Sequence, residues 1–143
     1  MREILFRGKQ RVNGEWVYGD FMHGNERKSL RDSIFVYDSE TQSFDNYVID
    51  SSTIGQYTGL TDKNGKKIFE GDIVFGKNYT GLRREGYVSY SSGLARYVII
   101  PNTISKYRES DCIEDLCPVE NYLTIIGNIH DNPELLKGDK DNE

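Results

Sequence analysis

The sequence predicts a mainly β fold: a small antiparallel sheet, bifurcated or rolled into a pseudo-barrel, with one or two short helices. Three observations predict it. Tyrosine occurs ten times in 143 residues, and β-branched and aromatic residues gather in short runs rather than at helical spacing. Gly, Asn, Asp and Ser, the residues of tight turns, separate those runs. Two Asn-Gly pairs, Asn13-Gly14 and Asn64-Gly65, stand between apolar stretches, which is the strongest short-range hairpin signal because both central positions of that turn want positive φ.

Glu3 to Lys9 and Glu15 to Phe21 are read as the two strands of a first hairpin, with Trp16 and Tyr18 on one face and Val17 on the other. Trp16, the only tryptophan, is expected to be a core anchor. Residues 22 to 32 are polar without periodicity and read as an exposed loop, with His23 at the surface and Arg27, Lys28 and Arg31 solvated. Ser33 to Asp38 is a strand, Thr41 to Asn46 a polar turn, and Tyr47 to Ile49 another short strand.

Ile54 to Phe75 organises the chain. Gly55, Gly59, Gly65 and Gly71 are expected to supply positive φ, Asp62 to Gly65 makes a tight turn, and Ile68-Phe69 and Ile73-Val74-Phe75 are strands either side of a kink. Asn13 to Phe21 echoes the wording of Asn64 to Ile73, apart from one extra residue, Glu70, and with only two copies the recurrence of a common turn is a better account than duplication. Further on, Gly86 to Tyr90 alternates as a strand, Ser91 to Gly93 turns, and Leu94 to Ile100 pairs with it until Pro101 removes a donor. Asp111 to Cys117 carries an N-cap and an acid at the third helical position, and predicts a short helix. Leu123 to Ile129 is the last strand, and Asn132-Pro133-Glu134 opens a brief helix to 137. Residues 1 to 137 thus form one expected domain, and 138 to 143 a frayed, charged tail.

The run Ile54-Gly-Gln-Tyr-Thr-Gly-Leu-Thr-Asp-Lys-Asn-Gly-Lys-Lys-Ile-Phe-Glu-Gly-Asp-Ile-Val74 resembles the signature of the YopX family of phage and prophage proteins. Phe6 to Gly19 and Ile125 to Leu136 are similar to two further blocks of that family, so the resemblance spans nearly the whole chain. It implies a compact, mostly β, phage-encoded domain working in the cytoplasm of a bacterial host. It carries over no activity and no catalytic residue.

No apolar run approaches a membrane span, so no membrane is expected as partner. Cys112 and Cys117 are too few for a disulfide framework and suit a reducing compartment, though one bridge stays open. On a helix these two thiols would point about 140° apart, and His23 and His130 are not at ligand spacing, so neither metal nor cofactor is expected. No nucleophile, phosphate-loop or dinucleotide pattern occurs, and no catalytic residue is assigned.

Net charge is −5, yet residues 73 to 108 carry 6 basic and 1 acidic side chain while 109 to 143 carry 2 and 10. The first expectation is therefore a non-enzymatic interaction or assembly module: unpaired strand edges and opposed charges suit a homo-oligomer, or a host or phage protein partner. The alternative is weak, largely sequence-independent binding of single-stranded nucleic acid by Lys77, Tyr79, Arg83, Arg84, Tyr87, Tyr90, Arg96 and Tyr97, where cations for phosphates alternate with rings for base stacking. Strand tyrosines packing inward beneath solvated arginines would give the same pattern.

Overall fold

The computed structural model describes residues 2–25, 31–77, 81, 83–101, 114–115 and 122–136, which are mainly antiparallel strand. The chain divides into two compact units, Met1–Gly59 and Leu60–Glu143. Neither sheet closes into a barrel.

The N-terminal unit holds β1 (Phe6–Lys9), β2 (Trp16–Met22), β3 (Ser33–Asp38), β4 (Ser43–Val48) and the first part of β5 (Gly55–Thr61), in the order β4-β3-β2-β1-β5. The first hairpin forms where the sequence places it, with Phe6 opposite Gly19 and Lys9 opposite Trp16. Its loop differs from the expected two-residue turn. Gly14 N–H donates to the Gln10 carbonyl at 2.9 Å and Gln10 N–H to the Glu15 carbonyl at 2.9 Å, so four residues make the loop and only Gly14, at φ +72°, is left-handed. A bridge between Gln10 and Ile49, with Asp50 N–H donating to the Lys9 carbonyl at 2.8 Å, brings the end of β4 back against β1. Gly8 makes this approach possible, because a Cβ there would stand 2.7 Å from Ile49 Cδ1. Ile34 and Ile49 are buried, and Phe6 and Phe21 meet at 5.6 Å between centroids.

The polar turn expected over Thr41 to Asn46 is instead the tight loop 39–42 followed by strand. Ser43 to Asn46 pair with Asp38 to Phe35 and read as polar because they are exposed at the edge of the sheet.

The C-terminal unit holds the end of β5, β6 (Lys67–Phe69) beside it, and β7 (Asp72–Lys77), β8 (Arg83–Ser91), β9 (Arg96–Pro101), β10 (Glu114–Asp115) and β11 (Thr124–Asn128) in the order β10-β9-β8-β7-β11. Ile68, Val74, Val88, Ile99 and Leu123 form its buried core, with Leu60, Tyr97, Tyr122 and Ile125 packed against them. Of the four glycines expected at positive φ, Gly59, Gly65 and Gly71 adopt it, at +87°, +83° and +90°. Gly55 does not: it is a buried strand residue opposite Arg7. The β8–β9 turn also shifts, since Leu94 and Ala95 belong to the loop and Ala95, not Gly93, takes the left-handed position at φ +55°.

The helix expected over 111 to 117 does not form at 114–115: Glu114 and Asp115 are strand, opposite Ile99 and Val98. Pairing with an otherwise open β9 edge outweighs a local capping signal. The rest of that segment, Cys112 and Cys117 included, lies outside the described residues. At the C-terminal end, 133–136 form a 3₁₀ turn rather than an α-helix, with Leu135 N–H on the Asn132 carbonyl at 3.0 Å.

Candidate functional site

The eight cation and tyrosine positions singled out by composition all belong to the C-terminal unit, and Tyr79 lies outside the described residues. Adjacent strand residues point to opposite faces, and this divides the remainder. Arg84, Tyr90 and Tyr97 share the face of Val88 and Ile99, the core face, where Tyr90 meets Tyr97 edge-on at 5.2 Å and the Arg84 guanidinium lies 5.9 Å from the Tyr122 ring. Lys77, Arg83, Tyr87 and Arg96 share the other, with Lys77 opposite Arg83, Tyr87 between Ile73 and Ile100, and Arg96 opposite Ser91. Arg83 bonds Glu85 at 2.8 Å and covers the Phe75 ring at 5.0 Å. The signal for that pairing was present in the sequence: Glu85 follows Arg83 by two residues and so shares its face.

A second concentration of aromatic side chains stands on the N-terminal unit. Lys9 faces Trp16 and Arg7 faces Tyr18 across the first hairpin, and the Arg7 guanidinium and Lys9 Nζ lie 4.7 and 5.5 Å from the Trp16 ring centroid. Trp16 is thus half-buried between two cations instead of anchoring an apolar core. Alternation and register carry the same face onward through Phe35 and Tyr37 of β3 to Phe44 of β4, with Tyr37 and Phe44 in ring contact at 5.2 Å. Tyr18, Tyr37 and Phe44 are 46%, 55% and 59% exposed, well above what strand aromatics show in a covered sheet. Reading Thr41 to Asn46 as a turn hid this surface, because Phe44 then has no strand to sit on.

Asp32 gathers three segments of the same unit. It accepts the Gly24 N–H at 2.6 Å and the Ser51 hydroxyl at 2.6 Å, and pairs with His23 Nδ1 at 2.9 Å. The Gly24 amide, followed by the Ser51 hydroxyl, outweighs burial and holds its carboxyl below the usual range, with His23 adding to the effect. Serine, histidine and aspartate therefore meet here, but serine and histidine both engage the carboxylate. The hydroxyl gives its proton to Asp32 rather than to imidazole, so this is a clamp on chain entry and exit and not a nucleophile–base pair. Among the described residues no three His, Cys, Asp or Glu side chains are grouped to hold a metal ion, and no helix is long and apolar enough to cross a membrane.

The densest polar chemistry of the C-terminal unit belongs to Asp62. Its Oδ1 accepts the N–H groups of Asn64 and Lys66, each at 2.9 Å, and its Oδ2 accepts the Ile125 N–H at 3.2 Å. Burial pushes this carboxyl up, but the amides of Lys66, Ile125 and Asn64 together with the Lys66 charge bring it below its ordinary value. Lys63 N–H adds a bond to the Leu123 carbonyl at 2.9 Å, so the whole turn is fastened to β11. Asp72 repeats the device, taking the Phe69 N–H at 2.8 Å around the Gly71 kink.

A family model described as YopX protein matches residues 5–137. The chain belongs to the YopX family. The YopX signature run is thus the part of the fold that Asp62, Gly65, Gly71 and Asp72 hold in shape. The family block near the end, Ile125 to Leu136, is a second such lock. The register shifts between Ile125 and Gly127, and Asn132 Oδ1 receives the Asn128 N–H at 3.2 Å in space that a Cβ on Gly127 would enter at 2.6 Å. Among curated proteins no relative matches. Among solved structures, the crystal structure of protein EF1440 from Enterococcus faecalis is similar over 95% of this chain and 99% of that one, with a TM-score of 0.53 and 23% identity, a likeness of fold.

Proposed function

We propose that this YopX protein is a non-enzymatic interaction module, encoded by a phage or prophage and working inside the bacterial host, which docks through the aromatic face of its N-terminal unit. The observation that carries this reading is the exposure of Tyr18, Tyr37 and Phe44 on one sheet face beside the open β4 edge. Large aromatic rings are the side chains that supply most binding energy at protein interfaces, and an unpaired strand edge is a template for another chain. Self-association is the simplest such contact. Sedimentation velocity over a concentration series tests it: wild type is expected to associate, and Tyr37→Ser with Phe44→Ser to weaken association by about tenfold or more, since each half-exposed ring has roughly 1 kcal/mol of burial still to gain. A wild-type chain that stays monomeric at high concentration and low salt removes the self-assembly reading.

One observation favours a second reading, single-strand binding on the C-terminal unit: Tyr90 is 48% exposed and meets Tyr97 edge-on at 5.2 Å, two rings on one face against which bases could stack. Fluorescence anisotropy with labelled oligonucleotides decides it. Tyr90→Ala is expected to cost about 1–3 kcal/mol if a base stacks there, and absence of binding at low salt ends the idea.

A further inference from the structure

The bonds that β4 makes on one side fix which groups it presents on the other. Ile49 N–H donates to the Asp32 carbonyl at 3.1 Å, so in the β3–β4 register it is Ser43, Asp45 and Tyr47 that exchange bonds with β3. Phe44, Asn46 and Val48 therefore direct their N–H and C=O groups away from it. Val48 agrees with this, because its carbonyl accepts the Arg11 N–H at 3.1 Å, and that bond together with the Gln10–Ile49 bridge closes the edge at this end. The tight loop 39–42, with Gln42 at φ +54°, ends it at the other. Between them Phe44 and Asn46, both exposed, offer two N–H and two C=O groups, and no described strand lies beyond them.

Edges are commonly guarded by lysine or proline, and this one has neither. From 32 to 50 the chain carries five acidic and no basic side chains. Asp32, Asp38 and Asp50 accept hydrogen bonds within the unit, while Asp45 is exposed and bonded to nothing among the described residues. A second copy meets such an edge badly. Antiparallel pairing that uses all four groups sets Phe44 of one copy opposite Asn46 of the other and the two Asp45 side chains opposite each other, in the close non-bonded position with Cα atoms about 4.5 Å apart. Moving the register either way calls on Gln42, which is in the loop, or on the Val48 carbonyl, which is taken. Like charges directly opposite destabilise a strand pair, and a cation at the same place stabilises it.

We infer that β4 takes an added antiparallel strand from another protein, a short extended segment that sets a lysine or arginine opposite Asp45 and β-branched or aromatic residues opposite Phe44 and Asn46. The inference rests on the reading of the N-terminal unit as a docking module and names the partner's chemistry. Association of copies through the aromatic face is a separate contact, made by the face of the sheet and not by its edge.

Fluorescence anisotropy of a labelled peptide Gly-Thr-Val-Lys-Val-Thr-Gly, compared with a twin carrying glutamate for lysine, tests it on the full-length chain at low and moderate salt. The lysine peptide is expected to bind about fivefold or more tightly than its twin, with a preference that shrinks as salt rises, and Asp45→Lys is expected to reverse the order. Asn46 N–H makes no bond to β3, so Asn46→Pro takes a donor from the edge and none from the sheet, and it should abolish binding of both peptides while the far-UV circular dichroism stays the same. The chain can also serve as its own basic strand: in sedimentation velocity, a mixture of wild type and Asp45→Lys is expected to associate beyond either alone. A wild type that is monomeric by itself yet prefers the lysine peptide loses the self-assembly reading and keeps the strand addition. No preference between the peptides, a preference that Asp45→Lys leaves unchanged, or binding untouched by Asn46→Pro overturns the inference.

Discussion

Replacing Asp62 by alanine removes the acceptor for three backbone N–H groups at once, those of Asn64, Lys66 and Ile125, at a position only 2% exposed. Hydrogen bonds to a charged group contribute about 1.5–3 kcal/mol each, and amides left buried without a partner cost a comparable amount. The three share one carboxylate and do not add fully, so about 3–5 kcal/mol is expected, a large fraction of the roughly 5–15 kcal/mol that holds a domain of this size together. With an unfolding entropy near 0.3 kcal/mol/K for a chain of this length, that is a fall in Tm of about 10–15 °C by scanning calorimetry. Asp62→Asn keeps one oxygen for the turn but sets an amide N–H₂ against the Ile125 N–H, and is expected to lose about 2–3 kcal/mol. The pH dependence follows from the lowered carboxyl. A group whose folded pKa lies below its unfolded value near 3.9 contributes in full above that value and loses its contribution as pH falls through the folded one. The gap between wild type and Asp62→Asn should therefore be constant above about pH 5 and narrow below about pH 4. Lys66→Ala, which removes only an exposed charge, is the control and should change stability by less than about 0.5 kcal/mol. An Asp62→Ala loss under about 1 kcal/mol, or a gap that widens in acid, would falsify the account of the clamp.

Gly65→Val and Gly71→Val each force a β-branched residue to φ near +83° and +90°, and should each cost about 1–3 kcal/mol in urea denaturation. Gly71 should cost more, because its N–H and carbonyl are bonded to Val88 and Ile129 at 2.8 Å and the chain there cannot relax without breaking them. Ala95→Gly goes the other way: a non-glycine residue at φ +55° in an exposed turn is relieved, and a gain of up to about 1 kcal/mol in the same assay is expected, whereas a loss would show that unfolded-chain entropy dominates.

Most of the strand pattern was legible because alternation and turn chemistry are local. Ser33 to Asp38 appears with those same bounds, and Ile73 and Gly86 fall on strands as read. Failures came where partners decide. Ser43 to Asn46 has no apolar alternation of its own and becomes strand only because Phe35 to Asp38 lies beside it. Glu114 stands at the third position after the N-cap residue Asp111, a helix-start signal, yet it and Asp115 pair with β9. The Arg83-Arg84 pair looked like one cationic surface when counted, but a strand turns adjacent residues to opposite sides. Asp62 was read as a turn residue, which it is. That it also reaches an amide 63 positions away is invisible to any local rule.

That reach bears on the order in which the polypeptide acquires its shape during synthesis. The hairpins of the N-terminal unit join neighbours in sequence, Phe6–Lys9 with Trp16–Met22 and Ser33–Asp38 with Ser43–Val48, and are complete once the first third of the message has been read. β7 emerges soon afterwards but receives β11 on its second edge only when Thr124–Asn128 has left the ribosome, and until then the Asp62 turn has neither Leu123 nor Ile125 to hold. At about 5–20 residues per second the β7 edge and its apolar face wait several seconds without their final neighbour. A nonsense codon after β9 and before residue 124 would therefore leave an intact first half joined to a sheet that exposes Ile73, Val74 and Phe75 along an open strand, a form prone to aggregation and proteolysis rather than a shorter working protein.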